Sequence, residues 1–217
     1  MRDNPRCDLS SMRAIVAQIA NGLRALHRLE MVHQDLRPEN VMIDAHGTAR
    51  IIDFGSTRVA GLVESARGEM HDQILGTEQY AAPEYFVGES GSTRSDIYSL
   101  GVIAYQMLSG ELPYGTEVSK ARTGAAQRRL TYRPLRDGQR EIPAWVDAAI
   151  RRAVHPDPNK RYGELSELIH DLTHPGTELD VGRQALLERN PVAFWKGVAA
   201  VLALVIVVQL VWRGLGA

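Results

Sequence analysis

Carboxylate, amide and guanidinium groups are concentrated in two short polar segments near the start of the chain. The first is residues 33–40, HQDLRPEN, and the second is residues 53–55, DFG. A carboxylate such as that of Asp35 can accept a proton from a hydroxyl. The carboxylate of Asp53 and the amide oxygen of Asn40 are ligands that hard divalent cations prefer. Together the two segments could supply a general base and a cation site.

A third segment, residues 82–84 with the sequence APE, follows further along the chain. In this order, and with a predicted β-hairpin between the first two, the three segments resemble the catalytic loop, the metal-binding motif and the activation-segment end of the protein kinase family. Any one triplet alone would be weak support, but three in the family's order are not a plausible accident. The resemblance implies transfer of the γ-phosphoryl group of ATP to a protein hydroxyl, with Mg²⁺ as cofactor.

The resemblance implies a role for each polar side chain of the first two segments. Asp35 would accept the proton of the substrate hydroxyl, and Arg37 would keep a positive charge near the transferred phosphoryl group. Asn40 and Asp53 would bind Mg²⁺ ions that bridge the phosphates of ATP. Ser/Thr kinases usually carry Lys where Arg37 stands, and the planar guanidinium is not equivalent to an ammonium group. A basic residue there resembles the Ser/Thr pattern rather than the tyrosine-kinase pattern.

Two further positions bear on substrate choice and regulation. Thr77 would contact Asp35 and favour Ser or Thr acceptors, although it could also be an ordinary loop residue. Gln34 stands where the family usually has the Arg that pairs with a phosphorylated activation loop. A neutral amide there is typical of kinases whose activity does not depend on loop phosphorylation. The alternative is a substitution without regulatory meaning.

The remaining matches to the family pattern imply structural roles. Glu84 would form a buried ion pair with Arg161, which is costly to break from one side only. Asp96 would form hydrogen bonds with the backbone of the catalytic loop. Structural roles within the motifs themselves fall to His33, Phe54 and Gly55.

The spacing of apolar residues predicts the elements that position these side chains. Apolar residues at helical spacing predict a helix over residues 9–27, capped by Ser10 or Ser11. Two short β-rich runs on either side of a turn predict a hairpin. The fold class is therefore mostly α with one small β-hairpin, as in the large, C-terminal lobe of a protein kinase. The hairpin strands and the later helices are predicted at residues 41–43, 49–52, 97–108, 143–154 and 164–172.

The small lobe of the family has no counterpart before Asp35. Its strands, helix and loops need roughly 60 residues, and only 34 residues precede Asp35. We therefore expect the small lobe to be absent from this chain, and activity of the chain alone is not expected. The chain could be part of a longer kinase, a catalytically silent membrane-anchored docking module, or an anchoring piece of a fusion protein. The intact Asp35, Asn40 and Asp53 favour descent from an active enzyme.

The end of the chain is strongly apolar. Residues 192–212 include only one charge, Lys196, and at 1.5 Å per residue they would span ~31 Å, about the thickness of a bilayer core. Trp195 and Trp212 lie near its two ends, as interfacial aromatic residues do. We predict a transmembrane helix that anchors a cytoplasmic domain to the cell (inner) membrane. The predicted organisation is a kinase lobe over 1–175, a connector over 176–191, the helix over 192–212 and a tail over 213–217.

Composition and layout limit the possible partners. A net charge of -1 gives no electrostatic reason to expect nucleic-acid binding. Cys7 is the single cysteine, which excludes a disulfide within the chain. The expected partners are ATP, proteins bearing Ser or Thr, and the membrane. The layout resembles membrane-anchored bacterial Ser/Thr kinases, including phosphatase–kinase fusions that end in one helix.

Overall fold

The structure is a computed structural model that describes residues 7–59, 78–135 and 142–175. The chain divides into two compact units, residues 1–179 and 180–217. Thr77, the connector, the transmembrane segment and the tail all lie outside the described residues, so the predictions for them stay predictions. Within the described ranges, no helix has the length and hydropathy of a membrane span.

The first helix, α1, has the predicted bounds, Leu9–His27, but a different cap. The N-cap residue is Asp8, whose Oδ1 accepts a hydrogen bond from the backbone N–H of Ser11 at 2.9 Å. The prediction of Ser10 or Ser11 as the cap was wrong, because both serines lie inside the first turn and donate their hydroxyls to Asp8. A carboxylate here accepts a hydrogen bond from a backbone N–H that has no partner within the helix, and its negative charge interacts favourably with the positive end of the helix dipole. One face of α1 enters the core through Met12, Val16, Ile19, Ala20 and Leu23.

The central helix, α2, spans Thr93–Ser109 and is buried over most of its length. It begins four residues before the predicted start, because Ser92 forms a capping box with Ser95. Gly101 lets the next long helix approach closely. A Cβ at this glycine would lie 2.8 Å from Cγ1 of Val154 and 2.9 Å from Cβ of Ala153. Helix α2 therefore forms the centre around which the other helices pack.

The described residues form three further α-helices, besides short 3₁₀-helices at Pro38–Asn40, Pro83–Val87 and Pro158–Lys160. The short helix α3, Gly124–Gln127, was not predicted, because four residues are too few to show a periodic pattern. Helices α4, Ala144–Ala153, and α5, Leu165–Thr173, match the predicted segments within one residue at each end. Helix α1 packs on α2 and α5, while α4 packs on the same two helices. One continuous apolar core results.

Two short antiparallel ladders lie among these helices. Strands β2 (Val41–Ile43) and β3 (Ala49–Ile51) form the predicted hairpin, with Val41 opposite Ile51. Strand β1 (Met31–Val32) pairs with β4 (Arg58–Val59), which the sequence did not predict. Strands of two residues are too short to alternate, and their partners are distant in sequence. The prediction of a mostly helical domain with a small sheet is confirmed.

Candidate active site

Residues 33 and 34 are bound to the start of α2 through one buried carboxylate. Asp96 is 1% exposed, and its two oxygens accept the backbone N–H groups of His33 at 2.9 Å and Gln34 at 3.0 Å. The Nε2 atom of His27, at the end of α1, lies 2.8 Å from Oδ2 of the same carboxylate. Three groups thus share the charge of Asp96, which offsets the cost of burying it. This arrangement connects the segment 33–40 to the two longest described helices.

Two residues of the candidate site have a left-handed backbone. Gln34 has φ 67° and Asp53 has φ 65°, a region that non-glycine residues seldom adopt. Such a conformation costs of order 1–3 kcal/mol and persists only where surrounding contacts impose it. At Gln34 that contact is the hydrogen bond to Asp96. Strained backbone at Asp53 itself and at Gln34, next to Asp35, is typical of a functional site.

The carboxylate of Asp35 is fixed on one side and unpaired on the other. The Nδ2 atom of Asn40 donates to the backbone oxygen of Asp35 at 2.7 Å and to its Oδ2 at 3.1 Å. The other oxygen, Oδ1, is buried and has no hydrogen-bond partner among the described residues. A buried acceptor without a donor is costly, so such a group calls for a specific explanation. An acceptor held in this way is suited to bind the hydrogen of an incoming hydroxyl.

The hairpin brings Asp53 close to the segment 33–40. The backbone N–H of Ile52 donates to the carbonyl of Asn40 at 2.8 Å, so Asp53 directly follows a residue bonded to Asn40. Oδ1 of Asp53 accepts the N–H of Gly55 at 3.0 Å. The amide oxygen of Asn40 and Oδ2 of Asp53 fit the chemistry of Mg²⁺, which takes oxygen ligands. The described residues contain no group of three or more His, Cys, Asp or Glu that could hold a metal. A Mg²⁺ ion bound partly by phosphate oxygens does not need one.

Arg37 lies at the outer side of the same loop. Its Nε is 3.2 Å from Oε2 of Glu39, and its side chain is 25% exposed. The charges of Arg37 and Glu39 also act on the hydroxyl of Tyr80, whose segment therefore passes close to the loop. The hydroxyl of Tyr80 donates to Gln106 at 2.6 Å, and its carbonyl accepts the hydroxyl of Ser99 at 2.9 Å. Helix α2 thus positions both the loop and the segment that follows Thr77.

Glu84 and Arg161 form a bidentate ion pair in the interior. The guanidinium nitrogens lie 2.8 Å and 2.7 Å from the two carboxylate oxygens, and both side chains are at most 4% exposed. Ser95 donates a third hydrogen bond to Glu84 at 2.7 Å. The guanidinium also donates to three backbone carbonyls and lies over the ring of Tyr98. The pair joins the segment 82–84 to residues that follow α4.

A family model for the protein kinase domain matches residues 2–173 of the chain. This chain belongs to the protein kinase family. The match covers every residue to which the sequence resemblance gave a role, from His33 to Arg161. The predicted family is confirmed, while the role of each residue stays a prediction.

Curated bacterial kinases are similar to the same part of this kinase-family chain. The serine/threonine-protein kinase PknA of Corynebacterium glutamicum is 33% identical over 158 residues, 71% of this chain and 31% of PknA. The kinase drp72 of Corynebacterium efficiens is 34% identical over 158 residues, 71% of this chain and 28% of its own length. PknB of Mycobacterium leprae is 32% identical over 160 residues, which cover 73% of this chain and 25% of PknB. The chain therefore spans between a quarter and a third of these relatives.

His33 is the most deeply buried ionisable side chain of the kinase loop. It is 0% exposed, and its ring contacts the ring of Phe54 edge-on at 5.8 Å. Burial lowers the pKa of His33, and the charges of Asp96, Asp35 and Asp53 only partly oppose this. The unfolded chain therefore binds a proton at His33 more tightly than the folded chain does. As a result, protonation of His33 does not affect the free energy of unfolding above about pH 6.5 and lowers it as the pH falls below that value.

Replacing His33 with Phe should make the stability of this kinase domain less sensitive to acid. Each proton bound only by the unfolded chain costs about 1.4 kcal/mol per pH unit. The slope of unfolding free energy between about pH 6.5 and 5 should therefore fall by up to that amount. Urea denaturation at several pH values measures it. His46→Gln, at an exposed turn position, is the control, and a slope in His33→Phe equal to the wild-type slope would contradict the assignment.

Several residues that shape the site were not predicted from the sequence. They are distant in sequence from the groups they bind, and the family resemblance gave none of them a role of its own. His27 and Ser95 were missed because a single polar residue on a helix gives no signal of its own. Thr77 lies outside the described residues. The contacts missed in this way are those of His27, Ser95, Ser99, Gln106 and Gln127.

Proposed function

We propose that this chain is the large lobe of a Ser/Thr protein kinase, which transfers the γ-phosphoryl group of ATP to Ser or Thr hydroxyls of proteins. The observation that carries the proposal is the carboxylate of Asp35. One of its oxygens is fixed by Asn40 and the other is buried without a partner among the described residues. An oriented, unpaired acceptor is what the removal of a hydroxyl proton requires.

Five polar side chains have a place in that reaction. Asp35 accepts the proton and aligns the substrate oxygen with the phosphorus, and Arg37 offsets negative charge on the transferred group. Asn40 and Asp53 would hold Mg²⁺, which supplies charge neutralisation at the phosphate oxygens. Thr77 would contact Asp35 and favour Ser or Thr acceptors. Most of the catalysis is then positioning and electrostatics.

Exposed apolar side chains near the site support the assignment to the large lobe. Met42 is 58% exposed, Ile43 is 48% exposed and Phe54 is 51% exposed. All three lie within the hairpin or beside Asp53, close to the residues that would bind the phosphates. Large apolar side chains that stay exposed beside a candidate site can form part of a surface that binds a partner. We propose that the nucleotide and a small lobe cover it.

The proposal is tested by phosphotransfer. The longest natural form of the protein is incubated with radiolabelled ATP, Mg²⁺ and a protein substrate, and the labelled amino acids are identified after hydrolysis. We expect phosphoserine and phosphothreonine without phosphotyrosine. A folded protein that transfers no phosphate and does not bind Mg·ATP would instead indicate the catalytically silent docking module.

We also propose that residues 192–212 anchor the protein in the inner membrane, with the lobe in the cytoplasm. The support comes from the sequence: about 20 apolar residues suffice to span a bilayer, and a Lys close to one end can reach the headgroups. Arg183 and Arg189 before the span, and Lys196 near its start, favour a cytoplasmic lobe.

Deleting residues 191–217 should release the lobe from membranes. Full-length protein is expected to sediment with membranes and to resist extraction by alkaline carbonate, because the apolar segment prefers the bilayer core. The truncated protein should remain in the supernatant. Protease added outside intact cells should leave the lobe uncut. Full-length protein in the soluble fraction would contradict the anchor, and digestion from outside would contradict the orientation.

A further inference from the structure

Positive charge is concentrated around the short helix α3. Residues 118–135 contain five basic residues and no acidic one, although the whole chain has a net charge of -1. Four of these residues lie immediately before or after α3 and are exposed. We call this group the α3 basic patch. Its members are Lys120, Arg122, Arg128 and Arg129.

The backbone around α3 is compact, so the charges of the patch stay together. Arg128 is the C-cap residue and donates its N–H to the carbonyl of Gly124 at 3.2 Å. The N–H of Arg129 donates to Ala126 at 3.0 Å, and that of Arg122 to Lys120 at 3.0 Å. Buried apolar residues on both sides, Val118, Ala121 and Leu135, fix the segment to the domain. The patch is a defined surface rather than a loose run of charges.

Nearby carboxylates neutralise only part of the patch. Lys120 lies 2.8 Å from Glu117, and both side chains are more than 60% exposed, so water and salt weaken that pair. Within the described part of the chain, Arg128 and Arg129 form no ion pair. Their guanidinium groups are therefore available to carboxylates from outside, which they can bind through two parallel hydrogen bonds.

A direct hydrogen bond ties α3 to the activation-segment end. Nε2 of Gln127 donates to the carbonyl of Pro83 at 2.6 Å. Pro83 directly precedes Glu84. Three residues before Pro83 lies Tyr80, whose pKa is affected by the charges of Arg37 and Glu39 in the catalytic loop. The patch therefore adjoins the segment along which a protein substrate would lie with its hydroxyl at Asp35.

We infer that the α3 basic patch binds acidic residues that flank the acceptor Ser or Thr, so that the preferred substrates are acidic protein segments. This inference rests on the proposed kinase function. An extended peptide advances about 3.3 Å per residue, so several carboxylates can face a patch of this kind at once. Complementary charge also speeds the encounter and excludes basic competitors. Attachment to Pro83 favours a substrate peptide over other anions.

A binding experiment tests the patch without requiring catalysis. A fluorescein-labelled peptide with one Ser flanked by Glu residues is titrated with the full-length chain, and anisotropy is compared with that of the matched Gln peptide. We expect tighter binding of the Glu peptide by about tenfold at low ionic strength, with the difference shrinking as salt is added. Arg128→Glu/Arg129→Glu should remove the preference.

A control variant separates the patch from general charge. Arg28→Glu makes the same charge change as Arg129→Glu, at an exposed position after α1. It should alter the affinity for the Glu peptide by less than about twofold, while Arg129→Glu lowers it about threefold or more. Equal effects of the two variants would overturn the inference. A second outcome would also overturn it: equal affinity for the two peptides, together with tighter binding to phosphatidylserine vesicles than to phosphatidylcholine vesicles. That result would indicate that the patch binds a membrane surface instead.

Kinetics on the active full-length protein distinguish this inference from the kinase function itself. The double variant should raise KM for the Glu peptide about tenfold, with kcat unchanged and the Gln peptide unaffected. If the protein transfers phosphate but KM for the Glu peptide is the same in the wild type and in the double variant, the inference is overturned and the kinase function stands. Patch-dependent binding without any phosphotransfer would leave the acidic-segment surface intact and overturn the kinase function.

Discussion

Asp35→Asn is expected to lower kcat for phosphotransfer by roughly 10²–10⁴-fold, the usual effect of removing a positioned base. The amide has the same shape as the carboxylate and can still accept the hydrogen bond that Asn40 donates to Oδ2. It cannot take a proton from the substrate. The loss should therefore appear in kcat, with little change in the affinity for substrate or in stability.

The measurement is a steady-state phosphotransfer assay on the active full-length protein, with thermal unfolding as a check on folding. Glu30→Gln is the control, because Glu30 is an exposed carboxylate to which the proposal gives no role. It should change kcat by less than about threefold, as expected of a carboxylate that is not the base. An Asp35→Asn enzyme that works at the wild-type rate would remove the proposed role of Asp35.

Arg161→Met should reduce the free energy of unfolding by about 3–5 kcal/mol, the usual result of breaking a buried ion pair from one side. The carboxylate of Glu84 would remain at 4% exposure with only Ser95 as a donor. The carbonyls of Arg94, His155 and Pro156 would also lose the donor that Arg161 supplies. Urea denaturation followed by circular dichroism measures the loss.

Two further variants show whether the burial of the ion pair causes the large loss of unfolding free energy in Arg161→Met. Arg133→Met removes an exposed pair in which Arg133 lies 3.8 Å from Glu111, and it should cost at most about 1 kcal/mol. Glu84→Leu/Arg161→Met removes both charges and should be more stable than Arg161→Met alone. Recovery should be partial, since the three carbonyls still lack the donor that Arg161 supplied. A cost equal to that of Arg133→Met would mean that the pair contributes no more than a surface contact.

The parts of the fold predicted well are those that a local pattern specifies. Helix α1 was predicted with its correct bounds because its apolar stripe runs over five turns and charged or polar residues interrupt it regularly. The hairpin of β2 and β3 was predicted because two β-rich runs flank a short turn with Gly47, whose φ is 80°. The contact between Glu84 and Arg161 was expected only through resemblance to the family.

The parts that were missed depend on contacts between distant residues. The ladder of β1 with β4 joins Met31 to Val59, and neither two-residue strand carries a pattern. The cap of α1 was placed on a serine, although Asp8 outcompetes both serines as an acceptor because it is charged and they can donate to it. The backbone donors to Asp96, at His33 and Gln34, were expected only through resemblance to the family, and the contact with His27 of α1 was not predicted.

The anchoring of the catalytic loop by Asp96 has a consequence for how the protein tolerates mutation. Asp96 lies at the first turn of the most buried helix, so the loop cannot detach while that helix remains folded without leaving a buried charge unpaired. The loop and the core therefore open as one cooperative unit rather than as separate foldons. Core substitutions far from Asp35 should change how many molecules are competent and leave the turnover of each competent molecule unchanged. Selection on core substitutions then acts through the amount of folded protein and not through the rate of the chemical step.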